Sequence, residues 1–364
     1  MTDAAPWARA WIGALPPYAA PGGGSPARAP LHLNESPHPP SPRAVAAAAA
    51  ACAGVNRYPD IAGGSLAAAI AARTGVPAGR IVLGTGSDEL IHLLCGAALE
   101  PGLSCVMPAP SFPRYLSGTR LQGATPIPVG LTPEGVNDVA ALAASVRPDT
   151  RLVFACTPNP PSGGALTAAE VAALGRAVPA TVLLAVDEAY VEFGAGDDAV
   201  AALRGRDGPW VVLRTFSKAH GLAGLRVGYA LCGDDGTAEA LRRIRLQFGV
   251  SAPALAAAEA SLADADHLAR NVAAVVAERA RLSEGLARLG LRVWPSAGNF
   301  VSATLPRPAA PVIAALRGDG ILVRDWRHPD FPNEIRVTVG LPEETDALLA
   351  ALARLMPDAA GCFS

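Results

Sequence analysis

The chain is poor in charge and in aromatic residues: 17% of its 364 residues are Asp, Glu, Lys or Arg, 5% are Phe, Trp or Tyr, and the formal net charge is −2. With no basic excess to neutralise a phosphate backbone, nucleic acid is excluded as the main partner, while small anionic ligands stay open. Six cysteines, Cys52, Cys95, Cys105, Cys156, Cys232 and Cys362, are scattered without a C-x-x-C pair. That spacing offers neither a zinc cage nor a disulfide framework, no metal site is expected, and the thiols read as small core residues in a reducing compartment. No basic-then-apolar leader opens the sequence and no apolar run is long enough to span a bilayer, so no membrane association is expected and the cytoplasm is the expected location. Internal repeats at solenoid periods are also missing.

What is present is length and alternation. A chain of 364 residues exceeds what one hydrophobic core organises. We expect an N-terminal arm over 1–42, a large domain over 43–250 and a small C-terminal domain over 251–364. Pro16-Pro17, Gly22-Gly23-Gly24 and Pro39-Pro40 crowd the stretch 15–42 and predict an irregular arm able to wrap a neighbour. The alanine-rich run Ala44 to Ala53 behind Pro42 predicts a helix. Beyond residue 80, β-branched runs at Ile81–Leu83, Cys105–Met107, Leu152–Ala155, Val182–Val186 and Val211–Leu213 alternate with helical stretches, which predicts an α/β fold with buried, mostly parallel strands. After 250 come long Ala/Leu/Arg helices, then strands at Leu291–Trp294, Asn299–Thr304 and Ile335–Val339, then a last helix with Leu348, Leu349, Leu352 and Leu355 on one face.

Three segments carry chemistry. Arg214-Thr215-Phe216-Ser217-Lys218, continuing to Tyr229, follows a strand and combines two hydroxyls, a lone Lys, Arg226 and glycines. Apolar Phe216, Leu222 and Leu225 disfavour charge on Lys218 and leave a neutral amine for imine formation, and the hydroxyls with Arg226 suit a phosphate dianion. Alone, the segment reads more simply as a basic loop at a helix end. Asp187 closes the run Val182–Val186 at a strand's carboxyl end, where α/β sites lie and where a carboxylate can pair with a protonated pyridine nitrogen; a turn residue or helix cap is the plainer reading. Tyr190 is either a donor to a phenolate oxygen or a half-buried tyrosine. Gly84-Thr85-Gly86-Ser87-Asp88-Glu89 opens a helix whose free N–H groups form an anion site, although Ser87 also fits a simple N-cap, and Glu89 breaks the dinucleotide fingerprint.

Taken in order, Asn34-Glu35-Ser36-Pro37, Arg57-Tyr58-Pro59-Asp60, Gly86-Ser87-Asp88-Glu89, Asp187-Glu188-Ala189-Tyr190, the Lys218 segment and Arg336-Val337-Thr338-Val339-Gly340 resemble the class I/II aminotransferases of fold type I, and most closely the histidinol-phosphate aminotransferase family. The resemblance runs from about Leu15 to the carboxyl terminus. It implies a fold type I transferase: a large domain with a mostly parallel central sheet flanked by helices, a smaller α+β C-terminal domain, pyridoxal 5'-phosphate as cofactor and a homodimer with shared active sites. Lys218 would carry the cofactor as a Schiff base, Asp187 would pair with the pyridine nitrogen and Tyr190 with the phenolate oxygen. Gly86, Ser87, Thr215, Ser217 and Arg226 would hold the phosphate, with Asp88 and Asn159 among the cofactor residues. Phe112 matches the stacking aromatic and Tyr58 the tyrosine that reaches the partner's phosphate. Arg336 matches the carboxylate-binding arginine, Arg324 and Tyr18 the groups that meet a distal phosphate, and Asn34 a further substrate residue. Asn299 fits the family pattern and equally a structural role.

The implied reaction moves an amino group between glutamate/2-oxoglutarate and a second substrate, with histidinol phosphate first and aromatic amino acids second. Decarboxylation, as in threonine-phosphate decarboxylases, is the alternative on the same cofactor. A regulator built on this fold needs a DNA-binding module, and no basic helix-turn-helix precedes residue 15. Two departures stand out. The family's Asn-Asn-Pro-Thr-Gly loop reads Asn159-Pro160-Pro161-Ser162-Gly163, and Pro160 cannot donate to the phenolate oxygen, so either Asn159 supplies that bond or Tyr190 acts alone. The family's Pro-Phe/Tyr-Asn-Val reads Gln247-Phe248-Gly249-Val250, which removes a side chain from the substrate side.

Overall fold

The computed structural model describes residues 7–14, 27–194 and 198–356. Its larger sheet has the order β2 (Ile81–Gly84), β8 (Gly228–Cys232), β7 (Trp210–Thr215), β6 (Leu183–Asp187), β5 (Thr150–Cys156), β3 (Ser104–Pro108), β4 (Thr125–Val129), where β1 is Ala29–Pro30 at the chain's start. Strands β4, β3, β5, β6 and β7 run parallel, and β8 is antiparallel to both its neighbours. Both faces are covered, which is why these strands read as unbroken apolar runs. In β5, Leu152, Phe154 and Cys156 enter one core while Val153 and Ala155 enter the other, the period-two alternation of a pleated strand.

Two strands of this sheet were not foreseen. Strand β4 reads Thr-Pro-Ile-Pro-Val and pairs with β3 alone, so Pro126 and Pro128, two residues apart, occupy an edge that needs no donor from them. Strand β8 begins at the end of the segment Arg214 to Tyr229 and runs beyond it, hidden by its glycine and tyrosine. The expected alanine helix runs Pro42–Ala51 with Ser41 as its N-cap, and a 3-10 turn, Cys52–Gly54, follows. Cys52 is therefore exposed, against the expectation of a core thiol, because the helix has ended; Cys95, Cys105, Cys156 and Cys232 are buried, and Cys362 lies outside the described residues.

The smaller sheet is antiparallel: β12 (Arg324–Asp325), β13 (Glu334–Thr338), β10 (Phe300–Thr304) and β9 (Arg292–Trp294). The last helix, Pro342–Leu355, buries Leu348 and Leu352 in this sheet's core, with Leu349 and Leu355 packed beside them. Packing does not change at residue 250, where the domain division was expected. Helix Ala252–Ala263 lies against Pro42–Ala51, and Ala254, Ala257 and Ala258 belong to the core of the large sheet, since small side chains let the two helices approach closely. The arm, in turn, is fastened to the small sheet's side: β1 pairs in parallel with β11 (Ile321–Leu322), and Ala29 and Leu31 enter the small core. Among the described residues no helix is long and apolar enough to cross a membrane.

Candidate active site

The functional side chains gather where β2, β6 and β7 end beside the arm and β13. The register places Thr215, Gly228 and Gly84 side by side across three strands, so the turns that follow β7 and β2 share one corner. Beyond β7 the chain folds back on itself, with Phe216 N–H donating to Val227 and Leu222 N–H to Phe216. Phe216 is completely buried, Leu222 nearly so, and Leu225 packs beside them. Lys218 projects from this turn, and its Nζ donates to the carbonyl of Leu33 at 3.2 Å. Burial, then the nearby Arg336 guanidinium, lowers its pKa to about 8, against the pull of Glu35.

One side of the corner is a cradle of donors. Gly86 has φ +79°, precedes helix Ser87–Ala98, and a Cβ there would collide with the Arg226 guanidinium. Arg226, itself in the left-handed region at φ 55°, donates from Nη1 to Ser217 Oγ at 3.2 Å, and Thr215 Oγ1 donates to Ser217 Oγ at 3.0 Å. A helix start, two hydroxyls and an exposed guanidinium fork converge as a phosphate monoester requires.

Opposite lies the acid. Asp187 ends β6 and is 3% exposed, too little for a solvated carboxylate. Its Oδ2 accepts from Tyr115 Oη at 2.7 Å and its Oδ1 from Ala189 N–H at 3.0 Å. Burial raises its pKa to about 6, and those two donors oppose the rise. Glu188 points to the other side of the strand and pairs with Arg214 at 2.7 Å, which leaves Asp187 as this corner's carboxylate. Tyr115 was not singled out from the sequence; the available signal was its spacing of three from Phe112 at a helix start, which puts both rings on one side. The two rings meet edge to face at 5.9 Å, and Tyr115 stacks on Phe154 at 4.5 Å.

A third wall comes from the arm and the small domain. Tyr190 Oη accepts from Asn34 Nδ2 at 3.0 Å, and its ring centroid is 5.8 Å from Lys218 Nζ. Asn34, expected from the resemblance as a substrate residue, is 1% exposed, and its amide is turned to Tyr190 and Thr338, where the arm is pinned. Arg336 on β13 donates from Nη2 to His32 O at 2.6 Å, and its Nε and the Nδ1 of His32 are buried without partners. Burial lowers the Arg336 pKa to about 10, against the pull of Tyr190 and with the help of neighbouring Arg324. Arg324 stands directly opposite Arg336 in the register of β12 and β13. An unpartnered N–H on a buried guanidinium beside a second arginine is a ready site for an anion.

Residues 29–352 match the family model described as Aminotransferase class I and II. The chain belongs to the class I and II aminotransferases. A histidinol-phosphate aminotransferase of Mesorhizobium japonicum is 39% identical over 91% of this chain and 92% of its own. An aromatic amino acid aminotransferase of Rhodococcus jostii is 42% identical over 95% of each chain. Among solved structures, the histidinol-phosphate aminotransferase of Sinorhizobium meliloti in complex with pyridoxal-5'-phosphate superposes with a TM-score of 0.90 at 29% identity, covering 98% of this chain and 99% of that one. This aminotransferase is thus a pyridoxal-phosphate enzyme of fold type I. Its residues fit that cofactor: an amine of depressed basicity, a donor cradle that tolerates no Cβ at Gly86, and a buried acid stand around one corner.

Other expected residues of the aminotransferase fall elsewhere. Asp88 accepts from Arg114 Nε at 2.8 Å at the rim of the corner. Asn159 is fully buried, and its side chain is spent within the protein: Nδ2 donates to Pro110 O and Ser162 Oγ, and Oδ1 accepts from Ser111 Oγ at 2.6 Å. With both amide hydrogens engaged, Asn159 does not stand in for the donor missing at Pro160. Phe112 is half-buried at the edge of Tyr115. Tyr58 is 81% exposed and stacks on Phe248 at 4.5 Å, on the outside of the chain. Tyr18 lies outside the described residues. Asn299, left open by the sequence, donates from Nδ2 to the carbonyls of Asn34 and Glu35. Among the described residues no cluster of three metal-ligating side chains occurs.

Proposed function

We propose that the enzyme transfers an amino group between glutamate/2-oxoglutarate and histidinol phosphate, as a cytoplasmic homodimer. When bound, pyridoxal phosphate supplies the aldehyde and the electron-withdrawing ring. Lys218 would hold it covalently, and its amine, whose basicity burial has lowered to about 8, is suited to moving the proton at the substrate's Cα. Asp187, kept anionic by Tyr115 and Ala189, faces the protonated ring nitrogen. Gly86, Ser87, Thr215, Ser217 and Arg226 take the phosphate, Phe112 covers a ring face, and Tyr190 donates to the phenolate oxygen.

The observation that carries the substrate reading is the register of Arg324 against Arg336, which sets two guanidiniums on one sheet, one for the carboxylate of glutamate and one for a substrate phosphate. Relatives named histidinol-phosphate aminotransferase at about 40% identity support it. Exposed Tyr58, beside exposed Val55, Ile61 and Leu246, supports a partner subunit seated on that face. A second reading, aromatic amino acid transfer, is favoured by the Rhodococcus jostii relative. The test is a panel of histidinol phosphate, phenylalanine, tyrosine and phosphothreonine with purified protein, following conversion of the cofactor to its amine form and release of carbon dioxide. Histidinol phosphate is expected to give the highest kcat/KM with no carbon dioxide, and Lys218→Ala is expected to lose the lysine-linked absorbance. A preference for phenylalanine or tyrosine overturns the substrate, and no conversion with any donor overturns the transferase reading.

A further inference from the structure

Three consecutive arm residues each touch a different functional group. His32 O accepts from Arg336, Leu33 O accepts from Lys218, and Asn34 Nδ2 donates to Tyr190 Oη. Asn34 is held more firmly than its neighbours. Its N–H donates to Thr338 Oγ1 at 2.9 Å, its Oδ1 accepts from the same hydroxyl at 3.2 Å, and its carbonyl accepts from Asn299 Nδ2 at 3.0 Å. Its φ of 52° is left-handed, a conformation that Asn tolerates better than other side-chain-bearing residues.

This clamp accompanies one orientation of the amide. Thr338 Oγ1 accepts the Asn34 N–H and donates to Oδ1, and Nδ2 faces Tyr190. An amide NH2 only donates, so it occupies a lone pair of Tyr190 Oη and turns that hydroxyl's single hydrogen away from itself. With Asn159 spent elsewhere and proline at position 160, Tyr190 is, among the described residues assigned to the cofactor, the donor left for the phenolate oxygen.

We infer that Asn34 is a positioning residue that aims the Tyr190 hydroxyl into the cofactor corner and thereby replaces the orienting effect of the donor absent at Pro160. The inference rests on the cofactor reading given above. A donor on the phenolate oxygen stabilises its negative charge most when the lysine-linked nitrogen has lost its proton, so it lowers the pKa of that chromophore. Removing the aim of the hydroxyl raises it. The charged groups facing this corner from the arm, the large sheet and the small domain are Glu35, Asp187, Arg226 and Arg336, and none of the four is substituted in any variant below.

The test is a pH titration of the visible absorbance of the full-length, cofactor-loaded enzyme in wild type, Asn34→Gly, Thr338→Val, Tyr190→Phe and the Asn34→Gly/Tyr190→Phe pair. Glycine keeps the left-handed backbone without strain, and valine keeps the shape of threonine while removing the hydroxyl. Tyr190→Phe is expected to raise the apparent pKa by about 1 unit, the worth of one hydrogen bond to a charged oxygen. Asn34→Gly is expected to shift it in the same direction, Thr338→Val less so, and Asn34→Gly is expected to add nothing once Tyr190 is Phe. Asn34→Gly titrating with the wild type, or shifting equally in the Tyr190→Phe background, overturns the inference. If Asn34→Gly does not fold, Thr338→Val decides it by the same criterion. A wild-type protein that gains no lysine-linked absorbance defeats the cofactor reading itself, a separate result.

Discussion

Tyr115→Phe tests the acid side of the corner by removing one atom. The ring stays stacked on Phe154, and Asp187 Oδ2 loses a donor at 2.7 Å. A hydrogen bond to an ionised group contributes about 1.5–3 kcal/mol and one to a neutral group about 0.5–1.5, so the loss costs about 1 kcal/mol more when Asp187 is charged. One pKa unit is about 1.4 kcal/mol, so the Asp187 pKa climbs from about 6 by roughly a further unit. The folded value already lies above the ordinary 3.8, so the folded cofactor-free protein binds the extra proton and its stability falls as pH rises from 3.8 through about 6. In the variant this fall continues for roughly another unit. Urea unfolding of the cofactor-free protein, at one protein concentration, is therefore expected to show a stability gap between wild type and variant that is small at pH 5 and about 1 kcal/mol wider at pH 8. A gap of equal size at both pH values would show that Tyr115 contributes packing alone and would refute the account of Asp187.

Arg336→Gln removes a buried guanidinium whose Nε has no protein partner, and the KM for glutamate and 2-oxoglutarate in steady-state assays is expected to rise on the order of 10–100-fold, from about 1.5–3 kcal/mol of charged hydrogen bonding. An unchanged KM would move the carboxylate site elsewhere. Gly86→Ala places a Cβ against Arg226 at φ +79° and ψ 168°, a backbone region that costs other residues about 1–3 kcal/mol; cofactor affinity by fluorescence titration is expected to fall about tenfold or more.

The cofactor side of the site was legible from the sequence because its residues are carried on strand ends. The buried runs ending at Asp187 and at Thr215 mark parallel strands, and parallel strands deliver their carboxyl ends to one edge, so residues 28 positions apart, from Asp187 to Thr215, meet without any pairing information. The proline-bearing edge strand β4 and the glycine-opened β8 escaped notice because local propensity opposes them and only their pairing partners stabilise them.

Sequence alone determined the α/β class and most of the buried strand runs, since each follows from local pattern, and it pointed through the order of its motifs to an amine, an acid and phosphate-holding groups. The tertiary structure alone decided how polar groups far apart in the chain are spent. Asn34 meets Thr338 across 304 positions, Tyr115 meets Asp187 across 72, and Asn159 exhausts its amide on Pro110 and Ser162. A hydrogen-bonding side chain has a fixed number of donors and acceptors, and which partners consume them is set by long-range packing, which no local pattern encodes.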